Sequence, residues 1–241
     1  MIQVFNMKQL TALLLGTVIS IAFTTSDAFA DKATDMAMKY WNSDDGEQGG
    51  YLNVSFTSGS IDDIRAGYLR GDGVANSTWQ LEDGDGGLAQ FGFDFGKLRL
   101  DWRLGALHTD VQSIDGVLTD GDSSNEAVLG YSTLGVGLDL YRFELVNKYF
   151  INIAVTPFIG GSYGYGGGWM TGKKSGGENV AEPAGHGYAH TYEAGILVNL
   201  TNNLGITIGY NRFNLELEGH GGAASQDVDS DLFAVGVRFT Y

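Results

Sequence analysis

The feature that most constrains how this chain can fold is a two-residue alternation of apolar and polar side chains that recurs along it. In one segment Leu98, Leu100 and Trp102 alternate with Arg99, Asp101 and Arg103. Successive side chains of a β-strand point to opposite faces, so each such segment predicts a strand with one apolar face. The pattern occurs in eight segments, at about 52–56, 91–95, 98–106, 134–140, 151–159, 192–200, 204–210 and 233–241.

The connections between these segments alternate between short and long. The short ones are Gly96-Lys97, about 143–148 and 201–203, and the long ones are about 58–87, 109–126, 164–187 and 218–229. Tight turns at one end and long loops at the other are typical of an antiparallel barrel with up-and-down connections. Ile64–Leu69 is a candidate for a further strand in a hairpin with 51–57. The alternation also slips near Leu129–Tyr131 and after Phe213, which predicts a bulge or a strand leaving the membrane.

The chemistry of the two faces separates a membrane barrel from a soluble β-sandwich. A sandwich turns its apolar faces inward and carries charge on its outer faces. Here the apolar face is broad and free of charge, whereas the polar face carries acids and arginines. We therefore predict an all-β fold, an eight-stranded antiparallel up-and-down transmembrane β-barrel.

Charged residues on the predicted inward face indicate what fills the barrel. An eight-stranded barrel is just wide enough inside for its own side chains. An unpaired charge there costs several kcal/mol, so the charges must pair. The near balance of acids and arginines predicts a salt-bridged plug, with inward glycines leaving room for the arginines. The predicted interior charge network comprises Asp94, Arg99, Asp101, Arg103, Asp139, Glu193 and Arg238.

The N-terminal residues divide the chain into three parts. Residues 1–30 have the order of a cleavable signal peptide, with Lys8 before an apolar run and Ala28-Phe29-Ala30 at the cleavage site. Residues 31–48 form a short periplasmic N-terminal segment, either a helix or a disordered tail. Residues 49–241 form the barrel domain. This organisation predicts export across the inner membrane and a location in the bacterial outer membrane.

Two stretches of the sequence resemble a known family. Thr156–Tyr165 resembles the T-P-Y-x-G-x-G-x-G segment of the opacity-protein and surface-antigen family of outer-membrane barrels, and Leu200–Phe213 resembles that family's L-T-x-N turn and G-Y-R-Y strand. The resemblance covers about Leu88–Tyr241; Asn211 departs from it, and 58–87 has no counterpart. It implies an eight-stranded barrel with variable surface loops that serve adhesion, envelope integrity or host contact.

The last six residues also resemble a recognised pattern. Gly236–Tyr241 resembles the G-x-x-Φ-x-Φ signal of barrel substrates, with Tyr241 in place of the commoner phenylalanine. Gly236, Phe239 and Tyr241 are the candidate insertion signal, and the resemblance implies barrel-insertion machinery and periplasmic chaperones as partners. A strand with a free edge can pair with the machinery by β-augmentation. Lipopolysaccharide and outer-membrane lipid are the other expected partners.

Charge and residue usage exclude some functions. The chain has 14 basic and 29 acidic residues, a net charge of −15, which argues against nucleic-acid binding. It contains no cysteine, so thiol chemistry and disulfides are excluded. The acidic loops are best interpreted as a solvated surface, with Ca²⁺ or Mg²⁺ bridging to lipopolysaccharide phosphates as the alternative. We predict no metal or cofactor site.

The histidines are the remaining candidates for chemistry. His108, His186, His190 and His220 all map near the loop end, where they could form a metal-binding or pH-sensing cluster or lie there by chance. His108 and His190 are followed two residues later by Asp110 and Tyr192, so neither provides the His-x-Ser pair of a deacylase. We predict a non-enzymatic barrel with a role in surface interaction, adhesion or envelope integrity. The alternatives are a narrow passive channel for small or hydrophobic solutes and, less favoured, a lipid A-modifying enzyme.

Overall fold

The computed structural model describes residues 47–70, 73–115, 117–118, 125–146, 152–173, 179–218 and 226–241. The predicted signal peptide and residues 31–46 of the predicted periplasmic segment lie outside the described residues. Within the described residues, no helix is long and apolar enough to cross a membrane. The strands are β1 (Glu47–Ile61), β2 (Ile64–Arg70), β3 (Gly73–Leu81), β4 (Gly84–Gly96), β5 (Leu98–Ile114), β6 (Val117–Leu118), β7 (Glu126–Asp139), β8 (Phe143–Val146), β9 (Asn152–Lys173), β10 (Asn179–Asn199), β11 (Leu204–Leu217) and β12 (Gln226–Thr240).

Eight of these strands form a closed barrel. They pair antiparallel in the order β1-β4-β5-β7-β9-β10-β11-β12. The last strand, β12, pairs with β1 and so closes the ring, with Leu52 opposite Phe239 for example. Closure leaves no unpaired edge in this sheet. The predicted fold class is confirmed, and each of the eight predicted segments coincides with part of one of these strands to within one residue at its ends.

The tight connections lie at one end of the barrel, which we term the tight-turn end. Only Lys97 separates β4 from β5, and Gly96 takes a φ of 98°, a conformation that glycine adopts at little cost. Between β11 and β10, the backbone N–H groups of Leu200 and Thr201 both donate to the carbonyl of Leu204. The opposite end of the barrel, the loop end, carries the long connections.

The first long connection contains a hairpin that the sequence only partly predicted. Residues 64–70 do form a strand, but β2 pairs with β3 and β3 pairs with β5, so the predicted pairing of this segment with 51–57 is wrong. β1 is flanked on both sides, by β4 and by β12, across residues 51–59. It therefore offers β2 no free edge. Short β6 pairs with β5, and β8 pairs with β9.

The outward face of the barrel is apolar over most of its height. Burial alternates residue by residue along β5 from Leu98 to Ser113, and the outward positions are apolar from Leu98 to Ala106. Large apolar side chains on this face are 38–73% exposed. We term this surface the apolar belt, and it comprises Val54, Phe56, Phe91, Phe93, Phe95, Leu98, Leu100, Trp102, Leu104, Leu134, Val136, Ile159, Val235, Val237 and Phe239.

The lumen has two layers. Towards the tight-turn end it holds polar and charged side chains, the polar layer, and towards the loop end it holds an apolar layer of buried side chains. Leu129, Tyr131, Phe213 and Leu215 belong to the apolar layer, and the register of β7 and β11 is unbroken through them. Of the two predicted outcomes the bulge is wrong, because these apolar side chains point inward beneath the β2–β3 hairpin without a break in register.

Candidate functional site in the barrel lumen

The polar layer is built from ion pairs between neighbouring or facing strands. Arg238 of β12 places Nη2 2.5 Å from Oδ2 of Asp94 of β4. Arg99 of β5 places Nε 3.0 Å from Oδ1 of Asp139, the last residue of β7. These two pairs lie at the ends of strands nearest the tight turns, and each matches one arginine with one carboxylate.

Arg103 differs because it faces two carboxylates. Its Nε lies 2.5 Å from Asp101 Oδ1, and its Nη2 lies 2.9 Å from Glu193 Oε1 on β10, across the lumen. The structure thus brings all seven predicted interior charges into ion pairs, with side chains at most 8% exposed. What this network does for the protein remains a prediction.

Several neutral residues complete the layer, and sequence reasoning did not single them out. Tyr51 donates from its hydroxyl to Asp101 Oδ2 at 2.8 Å, and the Arg238 guanidinium lies 4.1 Å from the centre of its ring. Gln90 donates to Glu193 Oε2 at 3.1 Å and accepts from Asn53 at 2.6 Å. Their inward position in the alternation was the available signal, since each has the parity of the polar face of its predicted strand.

Inward glycines provide the space that these side chains occupy. A Cβ at Gly135 would lie 2.4 Å from Asp101 Oδ1 and 2.5 Å from Arg103 Nε, and one at Gly160 would lie 2.6 Å from Glu193 Oε1. At Gly105 a Cβ would lie 2.1 Å from the Tyr131 ring, which stacks on Phe213 with centroids 4.4 Å apart. A larger residue at any of these positions would force the neighbouring side chain to move.

A small cavity of about 20 Å³ lies beside Glu193 in the lumen. This is room for about one water molecule. Its polar lining consists of Asn53, Ser55, Gln90, Glu193, Thr207 and Asn211. Asn211 is only 2% exposed, and neither Oδ1 nor Nδ2 of its amide has a hydrogen-bond partner.

The β2–β3 hairpin covers the loop end of the lumen. Ile64 and Trp79 are both fully buried, in the same cluster as the apolar layer. The hairpin is held on one side by the Asp115 N–H, which donates to the carbonyl of Thr78 at 2.8 Å. On the other side the Gln226 amide donates to the carbonyl of Asp63 at 2.8 Å. The covering strands are therefore anchored to opposite sides of the barrel.

Polar side chains replace the apolar belt on the outward face towards the loop end. Asp229 accepts hydrogen bonds from Asn214 and from Arg212, both at 2.7 Å. These two hydrogen bonds hold the pKa of the Asp229 carboxyl below its ordinary value, and the bond from Asn214 has the larger effect. We term Arg212, Asn214, Glu216, Asp227, Asp229 and Asp231 the outer polar patch.

Aromatic side chains lie beside this patch on β9 and β10. Tyr163 stacks on Tyr188 and on His190, with centroids 5.6 and 5.7 Å apart. Tyr165 lies 5.8 Å from the His186 ring. Aromatic rings with a polar edge favour the boundary between lipid and water.

The alternative of a histidine cluster does not hold for the three histidines that the structure describes. His108 lies on β5, whereas His186 and His190 lie on β10, and β7 and β9 separate the two strands. His108 Nε2 is 3.1 Å from Glu126, and His190 Nε2 is 3.6 Å from Glu216. No group of three metal-ligating side chains occurs in the described part of the chain. His220, Asp72, Asp120, Asp122 and Glu178 lie outside it.

The candidate insertion signal lies on the strand that closes the barrel. A Cβ at Gly236 would lie 2.1 Å from Ser55 Oγ, so this inward position has no room for a side chain. Phe239 faces outward in the apolar belt, and Tyr241 is 82% exposed. Recognition of these residues by insertion machinery remains a prediction.

Comparison with known proteins gives structural matches only. No family model and no curated protein matches the chain. It is similar to Neisserial surface protein A, with 14% identity over 80% of this chain and 97% of the other and a TM-score of 0.46. It is also similar to Ail, the attachment invasion locus protein of Yersinia pestis, in complex with the heparin analogue sucrose octasulfate, with 13% identity over 81% of this chain and 99% of the other and a TM-score of 0.41. A third match is the outer membrane protein OprG from Pseudomonas aeruginosa, with 10% identity over 81% of this chain and 97% of the other and a TM-score of 0.43. Matches at this level assign neither a family nor an activity to the chain.

Proposed function

We propose that this chain is an integral β-barrel of the bacterial outer membrane with a sealed lumen, serving surface interaction or envelope integrity. The observation that carries the proposal is the combination of an apolar outer face with a filled interior. A barrel of this kind has lipid as its surroundings and offers its loop end, rather than a pore, for function.

The apolar belt supports the membrane location. Leu134 is 73% exposed and Phe56 is 60% exposed, on a surface whose neighbours are equally apolar. Soluble proteins rarely expose a contiguous apolar surface of more than a few hundred Å². Lipid-facing positions of outer-membrane barrels are apolar in the same alternating order.

The filled lumen argues against a channel. The cavity of about 20 Å³ is far below the roughly 300–1,000 Å³ of a small-molecule pocket. The polar layer closes one part of the lumen with paired charges, and Trp79 and Ile64 close the part near the loop end. A passing solute would have to displace both layers.

The outward face near the loop end supports a role in contact. Arg212, with a side chain 49% exposed, presents a cation beside the carboxylates of Asp229 and Asp231. Guanidinium groups bind phosphate with good geometry, and the neighbouring tyrosines suit lipid headgroups and sugars. Lipopolysaccharide and outer-membrane lipid are therefore the partners that we propose, with insertion machinery engaging Gly236, Phe239 and Tyr241 during assembly.

The partners of two histidines support a non-enzymatic role. His108 and His190 lie on the outward face and are placed near Glu126 and Glu216 rather than near a serine. A base without a neighbouring nucleophile does not form a covalent-catalysis pair. Lipid A mass spectrometry of a deletion strain tests this point, and a changed acyl pattern would contradict it.

Conductance measurement tests the sealed lumen. The purified protein in planar bilayers is expected to give no stable single-channel steps. A heat-modifiability gel on the same preparation verifies that the barrel is folded, since a folded barrel migrates differently before and after boiling. Stable steps from folded protein would favour the channel instead.

A complementation experiment tests the contact role. A deletion strain is expected to become sensitive to detergent with chelator, and the wild-type gene should restore resistance. Arg212→Gln should restore it less well, whereas the matched control Arg142→Gln, near the tight-turn end, should restore it fully. Equal restoration by both variants would remove Arg212 from the proposal, and an unaltered deletion strain would remove the envelope role.

A further inference from the structure

The buried charges of the polar layer do not balance. Four carboxylates face three guanidinium groups; Arg238 pairs with Asp94, and Arg99 pairs with Asp139. The third guanidinium, that of Arg103, is shared between two carboxylates, Asp101 and Glu193. An uncompensated charge in a low-dielectric interior costs several kcal/mol, so it requires a counter-charge or a proton.

Glu193 is the less satisfied of the two carboxylates. Asp101 receives hydrogen bonds on both oxygens, from Arg103 on each and from Tyr51 on Oδ2. Glu193 accepts a hydrogen bond from Arg103 on Oε1. On Oε2 it accepts only from the neutral amide of Gln90, at 3.1 Å. Glu193, not Asp101, lines the cavity.

Asn211 is an independent sign of a missing occupant. Its amide lines the same cavity and is 2% exposed, yet neither its oxygen nor its nitrogen has a partner. Buried polar groups without a partner cost about 1–3 kcal/mol each and are rare in folded proteins. An occupant that accepts oxygen ligands would satisfy the Asn211 oxygen and the Glu193 carboxylate together, but it would supply no acceptor for the Asn211 nitrogen.

We propose that this cavity binds one monovalent cation through Glu193, the Asn211 side-chain oxygen and the Ser55 hydroxyl. Carboxylate, amide and hydroxyl oxygens suit hard cations, and a cavity of about 20 Å³ takes an ion of about the size of a water molecule. One positive charge cancels the surplus of one negative charge. A divalent ion would overcompensate it, and among the described residues that line the cavity Glu193 is the only acidic or histidine side chain.

Crystallography with thallium(I) tests the site directly. Tl⁺ replaces K⁺ and scatters anomalously, so crystals soaked in thallium nitrate should show an anomalous peak between Glu193 and Asn211. Crystals of Glu193→Gln, which has nearly the same shape without the charge, should lack the peak. Absence of the peak from wild-type crystals would overturn the proposal, whether the cavity then holds water or Glu193 carries a proton.

Thermal unfolding in detergent micelles provides a second readout. The comparison is made at constant ionic strength, with a K⁺ concentration well above the Kd of the site. Replacing N-methyl-D-glucamine with K⁺ should then raise the unfolding temperature midpoint of the wild type by about 2–5 °C. Asn211→Leu and Glu193→Gln should lose this K⁺ dependence. The control Asn214→Leu, on the outward face of the same strand, should keep it. A wild-type midpoint that is the same in both salts would overturn the proposal, and neither experiment depends on the proposed function.

Discussion

At the scale of single residues, the interior of this barrel combines long charged side chains with glycines, which have no side chain. Arg103 crosses from β5 to Glu193 on β10, and the space around it exists because Gly135 carries no Cβ. Alternation in the sequence predicted which charges point inward. It could not predict the pairing, because Arg238 and Asp94 lie 144 residues apart in the chain and meet only once the barrel closes.

Replacing Arg103 by methionine should destabilise the barrel strongly. The change leaves Asp101 and Glu193 buried without their shared cation, which costs about 3–5 kcal/mol. Urea unfolding in lipid vesicles measures the loss. Arg212→Met is the control, because solvent screens its exposed pair with Asp229, so the loss of stability should be much smaller. Equal losses from the two variants would contradict the assignment of the polar layer as the critical network.

Replacing Gly105 by alanine should also destabilise the barrel. The new Cβ would lie 2.1 Å from the ring of Tyr131, which stacking on Phe213 holds in place, so overpacking should cost about 1–3 kcal/mol. Gly87→Ala is the matched control, since its nearest atom would be 3.8 Å away. Its unfolding free energy should stay equal to or slightly above that of the wild type. A neutral Gly105→Ala would show that the ring has room to move.

The carboxyl of Asp229 provides a pH-dependent prediction outside the membrane. Because its folded-state pKa is depressed, its contribution to stability is present above the ordinary value of 3.8 and is lost as pH falls through the lower folded value. Asn214→Ala removes the main cause and should raise the pKa. Carboxyl ¹³C NMR titration in micelles measures it, with Asn203→Ala at the tight-turn end as the control. An unchanged titration in Asn214→Ala would contradict this origin of the shift.

At the scale of elements, the β2–β3 hairpin shows where sequence patterns lose their predictive value. Ile64–Leu69 has the composition of a strand, but nothing in its sequence specifies whether it pairs with β1 or β3. Both edges of β1 are occupied in the closed barrel, so β2 pairs with β3 instead. Its inward side chains then need apolar partners, which Leu129 and Phe213 help to supply. The apparent slip in alternation on β7 and β11 is the consequence.

Replacing Trp79 by alanine should loosen the hairpin without unfolding the barrel. Removing a fully buried tryptophan costs about 3–5 kcal/mol of local stability. Hydrogen exchange should therefore speed up in β2 and β3 while β9 and β12 stay protected. The control Trp169→Ala removes a side chain that is 51% exposed on the outer face, and it should leave exchange in the hairpin unchanged. Uniform acceleration along the whole chain would indicate that the hairpin and the barrel unfold as one unit.

At the scale of the whole molecule, the barrel carries its apolar surface on the outside, whereas a soluble protein carries it on the inside. Its outer face is apolar over the belt, and its lumen is half polar and half apolar. The alternative of a soluble sandwich fails because the eight strands close on themselves, and β12 pairs with β1 along residues 51–61. Lipid is the environment that makes such a surface stable.

Placing a charge in the middle of the belt should reveal this environment. Leu134→Arg replaces the most exposed belt residue and should cost about 2–4 kcal/mol in lipid vesicles. Asp227→Arg, on the same face beyond the belt, should cost about 0–1 kcal/mol. The free energy of unfolding in vesicles measures both effects. Equal costs at the two positions would place the protein outside a bilayer.

The sequence by itself determined the strands, their alternation of faces and the set of charges that point inward, because these depend only on the two-residue period of a β-strand. Tertiary structure alone decided which charges meet, how the hairpin covers the lumen, and that a small cavity remains beside Glu193 and Asn211. These features arise from contacts between residues far apart in the chain, and closure of the barrel sets those contacts. The surplus negative charge could be counted in the sequence, but its position at Glu193 could not.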